Sequence, residues 1–307
     1  MVVQDSWSLG ALVEAYEHHQ RRTRGLREQT LQDYGRFIRA FVRAALGDDP
    51  VDPAQLSPTD VVEFIASMTG RFSPRSMKHV RTALRSFFRF LRVEGLCDGR
   101  LEGAIPAVAH WRLSTLPRYL SDRQLRQVLT SFDISTPCGH RDRAIILCLA
   151  SLGLRPGEVA ELCLEDIDWR RGILELRTRK TRRGAVLPLP REAGRAIVAY
   201  LRHQRPTTDQ RRVFAKQVGP RRGEPISSHA VTLVVVRALR RAGVEPPIAG
   251  AYVFRHTVAS RLVRRGTSLK EIADFLGHRS LDTTAIYAKL DLPALREVAL
   301  PWPAEIR

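Results

Sequence analysis

The feature that most constrains the fold is a break in helical periodicity between Gly95 and Pro117. This stretch holds Gly95, Gly99, Gly103, Pro106 and Pro117 and lacks the i, i+3, i+4 spacing of apolar residues that flanks it on both sides. A chain interrupted in this way is expected to fold as two bodies joined by a linker. The expected boundaries are 1–95 for a helical first domain, 96–117 for the linker and 118–307 for the second domain. A length of 307 residues is in keeping with two domains.

The first domain reads as helix. Trp7, Leu9, Leu12, Val13 and Tyr16 recur at helical spacing, as do Leu31, Tyr34, Phe37, Ile38, Phe41 and Val42. Ser57-Pro58-Thr59-Asp60 is a helix start, with a capping serine, proline at the first helical position and an acid in the first turn. Ser73-Pro74 opens a fourth helix whose apolar stripe is Val80, Leu84, Phe87, Phe88 and Leu91. Its other face carries Arg75, Lys78, Arg81, Arg85, Arg89 and Arg92. Ordinary solvation and contact with DNA are both open readings of that face.

The second domain reads as mainly helical with a small β-sheet. Ser121-Asp122 caps its first helix, and 141–154 is an apolar helix fit for a core. Strands are expected at 173–178 and 185–189, joined by a turn crowded with Arg177, Arg179, Lys180, Arg182 and Arg183. Helices follow at 191–205, 228–242, 254–265 and 268–276, with a short one at 283–289. In the tail, 291–307, Leu292, Leu295, Val298 and Leu300 continue an apolar face begun by Leu290. Packing on its own domain is the ordinary reading of that face.

Charge narrows the partner. The chain carries 50 Lys and Arg against 32 Asp and Glu, a net of +18. Only +3 of this lies in residues 1–116; the other +15 lies in 117–307. Such a balance favours a polyanion, with nucleic acid the default, although a basic surface or a bias toward arginine gives the same sum. No apolar run approaches the roughly 20 residues of a membrane helix. The first ten residues lack a basic-then-apolar leader, so a cytoplasmic, nucleoid-associated protein is expected. The four cysteines, Cys97, Cys138, Cys148 and Cys163, form no CxxC pair and read as free thiols, so neither a disulfide framework nor a cysteine zinc site is expected.

Several residues of the basic domain invite a chemical reading. Arg155 sits in Gly153-Leu154-Arg155-Pro156-Gly157-Glu158, between one helix and the next, where an anion site is natural. Arg255-His256 follows Tyr252-Val253-Phe254 at another helix start. His278 follows Leu276-Gly277, and Tyr287 lies nine residues further on. Lys180 is the single lysine between Lys78 and Lys216 in a chain with 45 arginines and 5 lysines. Lysine can be tuned to give up a proton near neutral pH, whereas arginine cannot. Taken alone, each residue is more often structural: Arg155 a salt-bridge partner of Glu158, the histidines satisfied, Tyr287 a core-edge aromatic.

Their order and spacing resemble the tyrosine recombinases, also called phage-integrase-family site-specific recombinases. The resemblance is carried by Gly-Leu-Arg-x-Gly-Glu at 153–158 and Lys180-Thr181-Arg182-Arg183 with Leu187-Pro188-Leu189. It continues through Phe254-Arg255-His256-Thr257, Leu276-Gly277-His278 and Thr283-Thr284-x-x-Tyr287. It spans the chain, since a helical domain precedes the catalytic one as in Xer-type members. The resemblance implies an N-terminal helical, SAM-like core-binding domain followed by an α+β catalytic domain.

The resemblance also implies breakage and rejoining of DNA strands without metal, ATP or other cofactor. Tyr287 would attack the scissile phosphate and form a 3′-phosphotyrosyl bond. Arg155 and Arg255 would hold the non-bridging oxygens, Lys180 would protonate the leaving 5′-oxygen, and His278 would hydrogen-bond the phosphate. Glu158 would orient the first arginine and the histidine. Tyr252 stands where the family often has a histidine thought to help deprotonate the tyrosine, and a phenol is a poor base at neutral pH. His256, one residue along the helix from Arg255, is expected to point elsewhere and to be structural.

The implied partners are double-stranded DNA with inverted half-sites and a homo- or hetero-tetramer of recombinases, with no membrane. The tail after Tyr287 resembles the family segment that docks on a neighbouring protomer, which stands open beside packing on its own domain. Arg75, Lys78, Arg81, Arg85, Arg179, Arg182 and Arg183 are the candidate DNA contacts. Without a further domain before Trp7, the two-domain type is expected, acting in integration and excision, transposition or dimer resolution. The rival readings are a catalytically impaired DNA-binding accessory recombinase and a type IB topoisomerase-like relaxing enzyme. A metal-dependent nuclease is disfavoured, because no carboxylate or histidine cluster has ligand spacing.

Overall fold

The computed structural model describes residues 7–72, 74–107, 116–176, 184–248, 250–278 and 280–290. Helix α1 (Leu9–Arg24) starts where the Ser8 hydroxyl accepts the Ala11 N–H at 3.1 Å and ends at Gly25 in the left-handed region. Helix α2 (Glu28–Leu46) buries Leu31, Phe37, Ile38, Phe41 and Val42 along one stripe. Helix α3 (Pro58–Met68) has the expected start, with Ser57 and Asp60 forming a reciprocal capping box. Helix α4 (Pro74–Val93) buries Val80, Leu84, Phe87, Phe88 and Leu91.

These four helices close on an aromatic core. Phe41 meets Phe64 and Phe88 edge-on, at 5.3 and 5.4 Å between ring centres. Tyr16 donates its buried hydroxyl to Ser86 at 3.0 Å, so this polar tip is satisfied. The stretch read as a linker is partly ordered against this body. A short helix α5 (Arg100–Gly103) lies within it, and Leu101 and Ile105 are buried in the first core. Four residues are too few to leave a helical period in the sequence. The chain divides by contacts between His110 and Trp111.

The second unit begins with α6 (Asp122–Thr130), capped reciprocally by Ser121 and Gln124. Helix α7 (Gly139–Leu152) is buried on every side from Ala144 to Ala150 and forms the centre of its core. It ends two residues earlier than the sequence suggests, because Gly153 turns left-handed at φ +61°. Helix α8 (Pro156–Glu161) follows at once.

A three-stranded antiparallel sheet comes next, in the order β1 (Ile167–Asp168), β2 (Ile173–Leu176), β3 (Ala185–Pro188). Leu174 pairs with Ile167 on one side and Leu187 on the other, so all three bury on the core face. The sequence signalled β2 and β3. β1 was missed because two residues cannot show a period of two.

Four helices complete the body: α9 (Arg191–His203), α10 (Ser228–Arg241), α11 (Tyr252–Arg264) and α12 (Leu269–Leu276). The last described turns, Leu281–Thr283 and Ala285–Leu290, are 3₁₀ rather than the single short helix expected. Among the described residues no helix is long and apolar enough to cross a membrane. All four cysteines are free, and burial pushes the Cys148 thiol up to about 12.

Candidate functional site

Three chain segments far apart in sequence meet at the C-terminal end of α12. The first is the turn between α7 and α8. Gly153 must be glycine there on two counts. Its φ is positive, and a Cβ would sit 2.7 Å from Leu276 Cδ2. Two residues on, Arg155 occupies the N-cap of α8, with Pro156 at the first helical position. Glu158 accepts the Arg155 backbone N–H at 2.8 Å and its Nη1 at 2.7 Å. The ordinary reading of this pair as a salt bridge is therefore correct, and the pair also fixes the guanidinium. Its other arm, Nη2, donates to the Gly277 carbonyl at 3.0 Å.

The second segment is α11. Arg255 is buried and donates Nη1 to the Gly153 carbonyl at 2.8 Å and Nη2 to the Leu276 carbonyl. The two arginines thus hold successive carbonyls, Leu276 and Gly277, at the end of α12. Such carbonyls lack helical partners, and cations are favoured beside them.

The third segment runs from α12 into the 3₁₀ turns. Gly277 takes the left-handed conformation, and the N–H of His278 closes back on Ala273 at 2.8 Å, as in a Schellman cap. This turn aims the His278 ring, whose Nδ1 lies 2.7 Å from the Thr284 hydroxyl. Burial, then the charges of Arg255 and Arg155, push the His278 pKa down to about 3, so the imidazole is neutral.

Tyr287 is 2% exposed and belongs to a buried cluster with Val258, Ile272 and Leu276. Burial drives its phenol well above the usual tyrosine value, with Arg255 opposing. Its hydroxyl lies 2.7 Å from Nδ1 of His256. The sequence reading set His256 aside as pointing elsewhere. It does diverge from Arg255, but the 3₁₀ turns come back across α11 on the side His256 occupies.

The remaining candidates are placed differently. Tyr252 is 49% exposed at the start of α11, and among the described residues it makes no hydrogen bond. Lys180, Arg179, Arg182 and Arg183, between β2 and β3, lie outside the described residues, as do the Arg75 side chain and the tail 291–307. On α4, Lys78 and Arg85 are exposed, and Arg81 is half-buried. Arg89 and Arg92 instead pair with Glu102 at 3.3 and 3.6 Å. Among the described residues no group of three or more His, Cys, Asp or Glu is placed to hold a metal ion.

The chain's likeness to known proteins runs over both units. Residues 118–292 match the phage integrase family, and residues 13–95 match the phage integrase N-terminal SAM-like domain. An integrase/recombinase named y4rA from Sinorhizobium fredii is 44% identical over 95% of this chain and 71% of its own length. Tyrosine recombinase XerA of Thermococcus kodakarensis is 30% identical over 89% of each chain. Among solved structures, the XerH site-specific recombinase, bound to a palindromic difH substrate in a post-cleavage complex, aligns with a TM-score of 0.72. That alignment covers 94% of this chain and 83% of the other at 20% identity, a likeness of fold. With two matched domains, and with the motif arginines, histidine and tyrosine gathered around one helix end, the chain belongs to the phage integrase family of tyrosine recombinases, enzymes that break and rejoin DNA.

Proposed function

We propose that the protein is a site-specific DNA recombinase that works through a 3′-phosphotyrosyl intermediate. The observation that carries this reading is the shared anchoring of Arg155, Arg255 and His278 on the Leu276–Gly277–His278 turn, with Tyr287 packed against the same helices. Two guanidiniums beside a neutral imidazole make a site for one tetrahedral anion. A guanidinium carries five N–H donors, so each can hold its protein oxygens and still meet a non-bridging oxygen. In the tautomer in which the Thr284 hydroxyl donates to Nδ1, the His278 proton sits on Nε2, the donor a phosphate oxygen needs.

In this reading Tyr287 attacks phosphorus and Lys180 supplies the proton of the leaving 5′-oxygen. The bond energy of the cut strand is then held in the tyrosyl ester, and rejoining needs no external energy source. Glu158 orients Arg155. Arg75, Lys78, Arg81, Arg85, Arg179, Arg182 and Arg183 are the proposed phosphate contacts, and the Tyr252 phenol, at the start of α11, is a further proposed donor to phosphate.

Recombination between two duplexes cuts four strands. With one Tyr287 per chain, four protomers are required, each half-site holding one. The palindromic substrate of the XerH structure supports inverted half-sites. A DNA substrate supports a location in the cytoplasm with the nucleoid. The biological role is integration and excision, transposition or dimer resolution.

The test is covalent trapping. A duplex selected by binding from a random-sequence pool, and nicked beside the cleavage point, releases a short 5′-hydroxyl fragment and strands the enzyme on DNA. Wild type is expected to form the adduct. Tyr287→Phe is expected to bind the duplex and form none. An undiminished adduct from Tyr287→Phe refutes the assignment.

A further inference from the structure

We propose that His256 is the general base of the reaction, its Nδ1 taking the phenolic proton as the Tyr287 oxygen attacks phosphorus. The proposal rests on the reading of Tyr287 as the nucleophile. Its geometry is direct. Nδ1 lies 2.7 Å from the hydroxyl, and the two rings are tilted by 53° with centres 5.7 Å apart. That is within the reach required of a general base.

Packing holds the distance. Tyr287 is wedged among Val258, Ile272 and Leu276, while His256 projects from the same helix as Val258. A neutral imidazole protonated on Nε2 presents its lone pair at Nδ1 and lets the phenol donate.

The neighbours leave few other acceptors. Arg155 and Arg255 carry only donors. Nδ1 of His278 is engaged with Thr284, and Glu158 is held by Arg155. Tyr252, at the position where the family often has histidine, is a phenol and half-exposed. Burial also makes the Tyr287 proton harder to lose than in water, so a base in contact is needed. The positive charge that forms on His256 would lie near Arg255 on its own helix, Arg155 at the head of α8 and His278 after α12, and would be offset by the phosphate bound among them.

The proton balance closes. On cleavage the Tyr287 O–H bond breaks and its proton moves to His256 Nδ1. The tyrosyl O–P bond forms, the P–O5′ bond breaks, and the 5′-oxygen takes a proton from Lys180. On rejoining, the 5′-hydroxyl returns its proton to Lys180, and the departing Tyr287 oxygen recovers its own from His256.

The experiment is single-turnover cleavage of the nicked duplex by wild type, His256→Ala, His256→Gln and Tyr287→Phe, with DNA affinity and thermal melting measured beside it. Both His256 variants are expected to bind DNA as wild type does and to cleave about 10²- to 10⁴-fold more slowly. Added imidazole is expected to restore part of the rate to His256→Ala. Wild-type rates in the variants overturn the proposal. So do faster rates, which would make the contact a restraint on Tyr287. A loss in folded, DNA-binding His256→Ala that imidazole does not relieve also overturns it. If His256→Ala does not fold, the rate of His256→Gln decides. An adduct from Tyr287→Phe sinks the nucleophile itself. No adduct there, with full rates in the His256 variants, sinks only the base.

Discussion

At the scale of single residues, the site is organised by what its charged groups are denied. Arg255 is buried and spends two of its donors on main-chain carbonyls, and this fixes its position before any phosphate arrives. His278 is held neutral by burial and by the two arginines. A histidine whose folded pKa is depressed takes up its proton in the unfolded chain first. Between about pH 6.5, the ordinary histidine value, and about 3, the unfolded state therefore binds the extra proton, and stability falls as pH falls. The melting temperature of wild type is expected to drop more between pH 7.5 and pH 5 than that of His278→Gln, as read by calorimetry. Equal drops would mean that His278 is charged in the folded protein. The identities of Arg155, Arg255, His278 and Tyr287 were legible as candidates because motif spacing carries them. The contact between His256 and Tyr287 was not legible, since 31 residues separate the two and no local period connects them.

At the scale of elements, the ends of helices matter more than their middles. Helix α7 ends at a left-handed glycine, α8 begins at Arg155, α11 begins three residues before Arg255, and α12 ends at Gly277 before His278. At Gly153 the end of α7 comes close to Leu276 of α12. Alanine there adopts a left-handed conformation at a cost of about 1–2 kcal/mol. It also pushes against the Leu276 side chain, and the Leu276 carbonyl is a partner of Arg255. Gly153→Ala is expected to lower the melting temperature by roughly 2–8 °C. Strand cleavage should fall by more than the lost stability explains, because α12 and the guanidinium shift together. A variant that melts and cleaves like wild type would show that the turn has slack. The starts of α3 and α6 were readable from Ser57 and Ser121, whose caps act within four residues. α5 and β1 were not, because packing rather than local pattern holds such short pieces.

At the scale of the whole molecule, charge sets how the protein meets DNA. Counterion release makes affinity fall with salt, with a slope near −0.9 for each phosphate neutralised. The described α4 cations Lys78, Arg85, Arg89 and Arg92 are all exposed, but Arg89 and Arg92 are paired with Glu102. Lys78→Ala and Arg85→Ala are each expected to reduce the steepness of the log–log salt plot by about 1, and Arg92→Ala by clearly less. Fluorescence anisotropy across a salt series measures this. Slopes unchanged from wild type in all three would remove α4 from the DNA interface. The sequence by itself determined the two helical bodies, the candidacy of Arg155, Arg255, His278 and Tyr287 and the basic bias of the second body. Each of these is written in short-range spacing or in composition. Only the tertiary structure decided which donors meet which carbonyls at the end of α12, which arginines of α4 are engaged with an acid, and which imidazole touches Tyr287. Those outcomes depend on where distant segments pack in three dimensions, and side-chain spacing along one helix does not encode what crosses it.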